Sequence, residues 1–169
     1  VIYWGNVIAG FLAPSLFLHF CLTFPAVPRW LRGFWRQIFI YLPAAAFVAV
    51  YIAAATGIMR VAMSLVEVRW WLDRLWLPFL SVTYLSGAAI LSFERERSDD
   101  SILRQQIKWL RNGAVLAIVP FTLLYVVPYS MGMEPTNFMK LSVLTLMFIP
   151  LTWAYAILRY RLMDVDVVF

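Results

Sequence analysis

Few residues in this sequence could do chemistry. One histidine, His19, and one cysteine, Cys21, lie two positions apart in an otherwise apolar run, F-L-A-P-S-L-F-L-H-F-C-L-T-F. An ionisable side chain in an apolar helix is a functional candidate, because burying it is costly. His19 has no second His, Asp or Glu in its run, so a neutral, hydrogen-bonded packing histidine outweighs a proton or ligand site. Glu94, Glu96, Asp99 and Asp100 gather four carboxylates in one short stretch, with Arg95 and Arg97 interleaved. Alternating signs favour self-neutralising pairs over a general acid and base. The chain contains no HExxH, no GxSxG and no Gly-rich phosphate loop. No catalytic residue, cofactor or metal ligand is expected, and a lone cysteine leaves no intrachain disulfide.

The other candidate chemistry is attraction for anions. Arg29, Arg32 and Arg36 are interleaved with Trp30 and Trp35 in V-P-R-W-L-R-G-F-W-R. Indole rings at headgroup depth beside guanidinium groups make an interfacial anchor that draws anionic lipid. Arg104, Lys108 and Arg111 recur at i, i+4 and i+7, so they share one face of a helix. Leu103, Ile107 and Leu110 share another, which makes the segment amphipathic and suited to a membrane surface. Ser98, Asp99 and Asp100 supply cap and first-turn residues for it.

The elements that must position these groups follow from the spacing of charge. Residues 1–28, 37–59, 75–93, 112–133 and 141–158 contain no Lys, Arg, Asp or Glu. Each gap can hold the ~20 apolar residues a helix needs to cross hydrocarbon. Backbone polar groups cannot go unpaired in lipid, and continuous apolar runs lack the alternation of a barrel strand. The expected fold is all-α: a single polytopic membrane bundle over residues 1–169, with spans near 3–24, 38–59, 75–93, 112–131 and 139–159. Of the fourteen Lys and Arg residues, ten fall in the segments after the first, third and fifth spans. That asymmetry puts the N-terminus outside and the C-terminus in the cytoplasm. It also accounts for the net charge of +5 without nucleic acid as a partner.

Between these spans the pattern carries further expectations. Seven alanines between positions 44 and 55 suggest that the second helix packs inside the bundle, since small residues let helices approach closely. Residues 60–76 read as a short helix at the outer surface, with Arg69 and Asp73 one turn apart and Trp70, Trp71 and Trp76 as an aromatic belt. It is either a lid over a ligand pocket or a plain interfacial helix. Ser81, Thr83, Tyr84, Ser86 and Gly87 form a small, polar face that packs on neighbouring helices. At the exit, Leu151, Tyr155, Leu158, Leu162, Val165 and Phe169 recur at steps of four and three, the spacing of a helix–helix seam. Leu158, Leu162, Val165 and Phe169 are thus candidate signal-relay positions, and a homodimer is the expected assembly. Met163 to Val167 also alternates with period two, as a short strand would. The chain begins at Val1 and stops at Phe169 in mid-pattern, so a longer protein is expected around it.

Three stretches occur in order: L-H-F-C-L-T-F-P at residues 18–25, R-Q-Q-I-K-W at 104–109, and A-Y-A-I-L-R-Y-R-L-M-D-V-D-V-V at 154–168. Together they resemble the N-terminal polytopic membrane region of bacterial sensor histidine kinases and of related PP2C-type regulatory phosphatases. The resemblance implies a non-catalytic input module in the bacterial cytoplasmic membrane. Its last helix would relay a signal to a cytoplasmic effector domain in the same chain. The alternative expectation is a fragment of a small-molecule permease or channel.

Overall fold

The computed structural model describes residues 2–57 and 64–160. Among them every regular element is helical. Helix α1 (Ile2–Thr23) is followed by a 3-10 turn (Arg29–Leu31), α2 (Phe34–Ile38) and α3 (Leu42–Ala55). Next come α4 (Leu65–Arg97) and α5 (Ser101–Phe121), a π-helical turn (Thr122–Val126) and α6 (Val127–Ser130). The chain returns through α7 (Asn137–Ser142), a 3-10 turn (Val143–Met147) and α8 (Phe148–Tyr160).

Among the described residues, four stretches are long and apolar enough to cross a membrane: Trp4–Thr23, Val66–Arg97, Ser101–Ser130 and Asn137–Arg159. The second expected span, 38–59, is different. Its continuous helix, α3, has 14 residues, or ~21 Å at 1.5 Å per residue, short of a ~30 Å hydrocarbon core.

A second difference concerns residues 60–76. Instead of a separate surface helix, the described part of this segment is the first turns of α4, which runs unbroken for 33 residues. Its start is set by a capping box. The Ser64 hydroxyl accepts from the Glu67 backbone N–H at 3.3 Å, and the Ser64 N–H donates to the Glu67 carboxylate at 2.8 Å. This satisfies two N-terminal donors together. No glycine occurs in α4 before Gly87, so nothing ends the helix at the expected boundary; Pro78 is absorbed within it. At ~50 Å, α4 is longer than the hydrocarbon is thick.

Helix α5 lies at the centre, packed on α4 along one side and on α8 along another; α1 packs on α4, and its Phe17 and Phe20 rings reach Trp153 of α8. The Ala-rich α3 sits at the edge against α1 and α4, contrary to the expectation that it would be internal. Only Ala44 and Ala54 of its alanines are buried. Small side chains permit close packing on any face, but α3 has neighbours on one face only. On α4, Ser81, Thr83 and Gly87 are buried as expected, while Ser86 is exposed and donates to its own Val82 carbonyl at 2.7 Å.

The main core joins Phe17 and Cys21 of α1, Ala88 and Leu91 of α4, Ile107, Leu110 and Ala114 of α5, and Ala156 of α8. Two glycines bring the helices this close. A Cβ on Gly87 would meet the Phe17 ring and lie 3.0 Å from Cys21 Sγ. A Cβ on Gly113 would overlap the Thr152 hydroxyl and lie 2.6 Å from Thr152 Cβ. Gly113→Ala is therefore expected to overpack the α5–α8 crossing and cost about 1–3 kcal/mol. The cost should show as a lower unfolding temperature in detergent micelles, followed by tryptophan fluorescence. Adding Thr152→Gly should recover most of the loss, and an unshifted single variant would mean that the crossing is loose.

Candidate functional site

At the end of the bundle where α4 begins, α3, α4 and α6 leave a cavity of about 520 Å³. Its wall includes Tyr51, Ala54 and Ala55 of α3, Val66, Val68, Arg69, Trp70, Leu72 and Asp73 of α4, and Tyr129 of α6. A smaller chamber of about 160 Å³ adjoins it against Asn6, Val7, Gly10, Phe11 and Trp76. Tyr51, Arg69 and Asp73 line both. The aromatic wall is built by ring packing. Tyr51 lies 6.0 Å from Trp4 and 5.9 Å from Phe11, and Phe11 lies 4.7 Å from Trp76.

Behind this wall, the Arg74 guanidinium stands 4.9 Å from the Trp70 ring centroid and 5.8 Å from those of Trp71 and Tyr129. Such a cation over ring faces is worth roughly 0.5–2 kcal/mol, depending on its exposure. Arg74 Nε is buried without a hydrogen-bond partner, so its ring contacts take on more of its placement. Sequence reasoning placed Arg69 and Asp73 together on one face. The aromatic belt was the available signal for a pocket, but the contributions of Tyr51 and Tyr129 from other helices had none.

His19 lies near the opposite end of α1 and is half-buried. Its Nδ1 is 2.5 Å from the Tyr41 hydroxyl, with the rings edge to face at 5.5 Å. Tyr41 leads into α3, so this hydrogen bond joins α3 to α1 and gives the histidine a polar partner in an apolar region. Among the described residues, no group of three or more His, Cys, Asp or Glu could hold a metal ion.

The six candidate lipid-contacting residues stand on two separate elements. Arg29, Arg32 and Arg36 are exposed on the segment after α1, whose anchor is Leu31, fully buried. Arg36 Nη1 donates to the Trp30 carbonyl at 2.8 Å and Gln37 Nε2 to the Leu31 carbonyl at 3.2 Å, folding the loop on itself. Trp30, Phe34 and Trp35 stay outside, the last 75% exposed.

On α5, Arg104 and Lys108 are exposed and Arg111 is half-buried, while Ile107 and Leu110 on the opposing face are buried. Asp100 caps the helix by accepting from the Ile102 N–H at 2.8 Å. Arg104 Nε donates to the Ser98 carbonyl at 2.9 Å, and Arg111 grips the Asn112 side-chain oxygen at 3.1 and 2.7 Å. Of the relay positions, Leu158 is 82% exposed near the end of α8. Leu162, Val165 and Phe169 lie outside the described residues.

No family model matches the chain, and neither a curated protein nor a solved structure gives a match. The class that the fold supports is that of a protein helical throughout its described elements, with four helices among the described residues fit to cross a membrane.

If the basic face of α5 holds anionic headgroups, each charge removed should weaken binding roughly fivefold, the equivalent of ~1 kcal/mol near a charged surface. A peptide of residues 98–112 with Arg104, Lys108 and Arg111 all replaced by Gln should bind anionic vesicles about a hundredfold less tightly. High salt should weaken the parent peptide in the same way. Equal partitioning of the two peptides would reduce this face to ordinary solvated surface.

Proposed function

We propose that the chain is the membrane-embedded input module of a bacterial signal-transduction protein of the sensor histidine kinase kind. It lies in the cytoplasmic membrane as a five-pass bundle with its N-terminus outside, α3 making the second pass together with α2 and the turn between them, residues 34–55. It works as a homodimer and drives a cytoplasmic effector domain in the same chain through α8. The observation that carries this reading is the continuity of α4. One 33-residue helix lines the cavity with residues 66–73 and ends in the charged turn at Arg97. A helix is stiff along its axis, so a displacement imposed at the cavity is felt at the far end and not dissipated in a loop.

The path onward is also packed. Helix α4 bears on α5 and α5 on α8, with Gly113 and Thr152 at the crossing. On α8, Ala156 is buried toward the bundle while Leu151 and Leu158 are 57% and 82% exposed. Tyr155 stands between these faces with its ring 4.5 Å from Trp109 of α5. Leu151, Tyr155 and Leu158 thus form the start of an apolar ridge that a second copy can meet, continued in the sequence by Leu162, Val165 and Phe169.

Orientation is tested in whole cells. A cysteine near Asp99 should be shielded from an impermeant thiol reagent and one near Thr136 should be labelled; the reverse pattern would overturn the topology. The relay is tested by insertions after Arg161 in the complete protein. One or two residues turn everything downstream by about 100° each and should lock output on or off. Seven residues restore heptad register and should restore regulation. Output indifferent to insertion length would leave the exit as a passive tether.

A further inference from the structure

We infer that the two-chambered cavity where α4 begins binds a small zwitterion carrying an apolar side group, the chemical class of a free apolar amino acid or dipeptide. The inference rests on reading that cavity as the point where the input enters, and it names what enters. The larger chamber, about 520 Å³, lies within the ~300–1,000 Å³ usual for small-molecule sites. Its walls are mostly apolar, with Ala54, Val66 and Leu72 among them. That surface suits a hydrocarbon side group, and the polar features are few and placed together.

Among the described residues, the charged ones that line the cavity are Arg69 and Asp73, and each borders both chambers. They are one turn apart on α4, so their Cβ atoms stand about 5–6 Å from one another. Opposite charges at the junction of two chambers select for a ligand with opposite charges of its own. A simple anion on Arg69 would be repelled by Asp73, and a simple cation on Asp73 would be repelled by Arg69. A neutral apolar ligand leaves the two residues to each other and gains nothing from them. A zwitterion satisfies both, its carboxylate on the guanidinium of Arg69 and its ammonium on the carboxylate of Asp73.

The aromatic surroundings favour the same ligand. Tyr51, Trp70 and Tyr129 line the larger chamber, and a ring face not already covered by a cation attracts an ammonium group. Arg74 packs over Trp70 and Tyr129, at 4.9 and 5.8 Å from their centroids. The wall is therefore formed before any ligand arrives, which lowers the ordering cost of binding.

The test is calorimetric titration of the purified full chain in a nonionic detergent with three probes. They are leucyl-leucine, its N-acetyl derivative, which keeps only the negative charge, and its amide, which keeps only the positive one. Leucyl-leucine should bind at least tenfold more tightly than either derivative. In Arg69→Gln the amide should bind as well as the parent, and in Asp73→Asn the N-acetyl derivative should do so. Circular dichroism and gel filtration check that both variants fold. Should one fail to fold, the three-probe comparison on the unmodified chain decides alone. Equal binding of the three probes, or no binding of leucyl-leucine, overturns the inference. The relay through α8 is read from output after insertion, so it stands or falls separately.

Discussion

The packing of this protein depends on how closely α5 can be approached. Between helices in lipid there is little hydrophobic gain, because acyl chains are as apolar as leucine, so association rests on close contact and on interhelical hydrogen bonds. Gly113 removes the one side chain that would hold α8 away, and Thr152 occupies the space. Ala114 and Ala117 on the same helix are fully buried, as is Ala156 on α8. Gly87 does on α4 what Gly113 does on α5, admitting Phe17 and Cys21 of α1. A chain of close crossings thus runs from α1 through α4 and α5 to α8.

Backbone polarity is the second constraint, since proline removes a donor that lipid cannot replace. Pro120 and Pro128 flank the π-helical turn Thr122–Val126, where the hydrogen-bond ladder widens by one residue. Such a turn accommodates missing donors without ending the rod. Hydroxyls pin this irregular region to its neighbours. Thr122 donates to Ser81 of α4 at 3.0 Å, and Thr145 donates to the Ala117 carbonyl of α5 at 2.8 Å. These bonds hold the region in place just where the regular helix is interrupted. In the same stretch Tyr125 and Tyr129 stack at 5.8 Å, and Tyr129 is part of the cavity wall. Satisfaction of the backbone and construction of the cavity are therefore linked.

Much of the architecture was legible in the spacing of charge, because a charge inside hydrocarbon is too costly to occur casually. Helices occupy most of the described part of each of the five charge-free gaps. The amphipathic start of α5 was readable from Arg104, Lys108 and Arg111 set against Ile107 and Leu110, since a soluble face and a packed face differ in polarity. The start of α4 was also present in the sequence, as S-x-x-E at Ser64–Glu67, but the aromatic belt that follows drew attention to a surface segment. Pairings such as His19 with Tyr41, 22 residues apart, had no local signature, because each residue alone fits many partners.

What the sequence by itself determined is that this chain is helical, where its apolar runs lie, and that its basic residues gather toward one set of loops. Tertiary structure alone decided which apolar faces pack. Ala44 is buried while Ala45 and Ala46 beside it are exposed, and nothing in their chemistry separates them. In water, the hydrophobic effect sorts residues inward and leaves its pattern in the sequence. In lipid, a packed face and a lipid-facing face are both apolar, so polarity cannot tell them apart. The difference lies in shape: a glycine under a threonine, or a tyrosine from a distant helix completing a cavity. Such fits exist only once the helices have met.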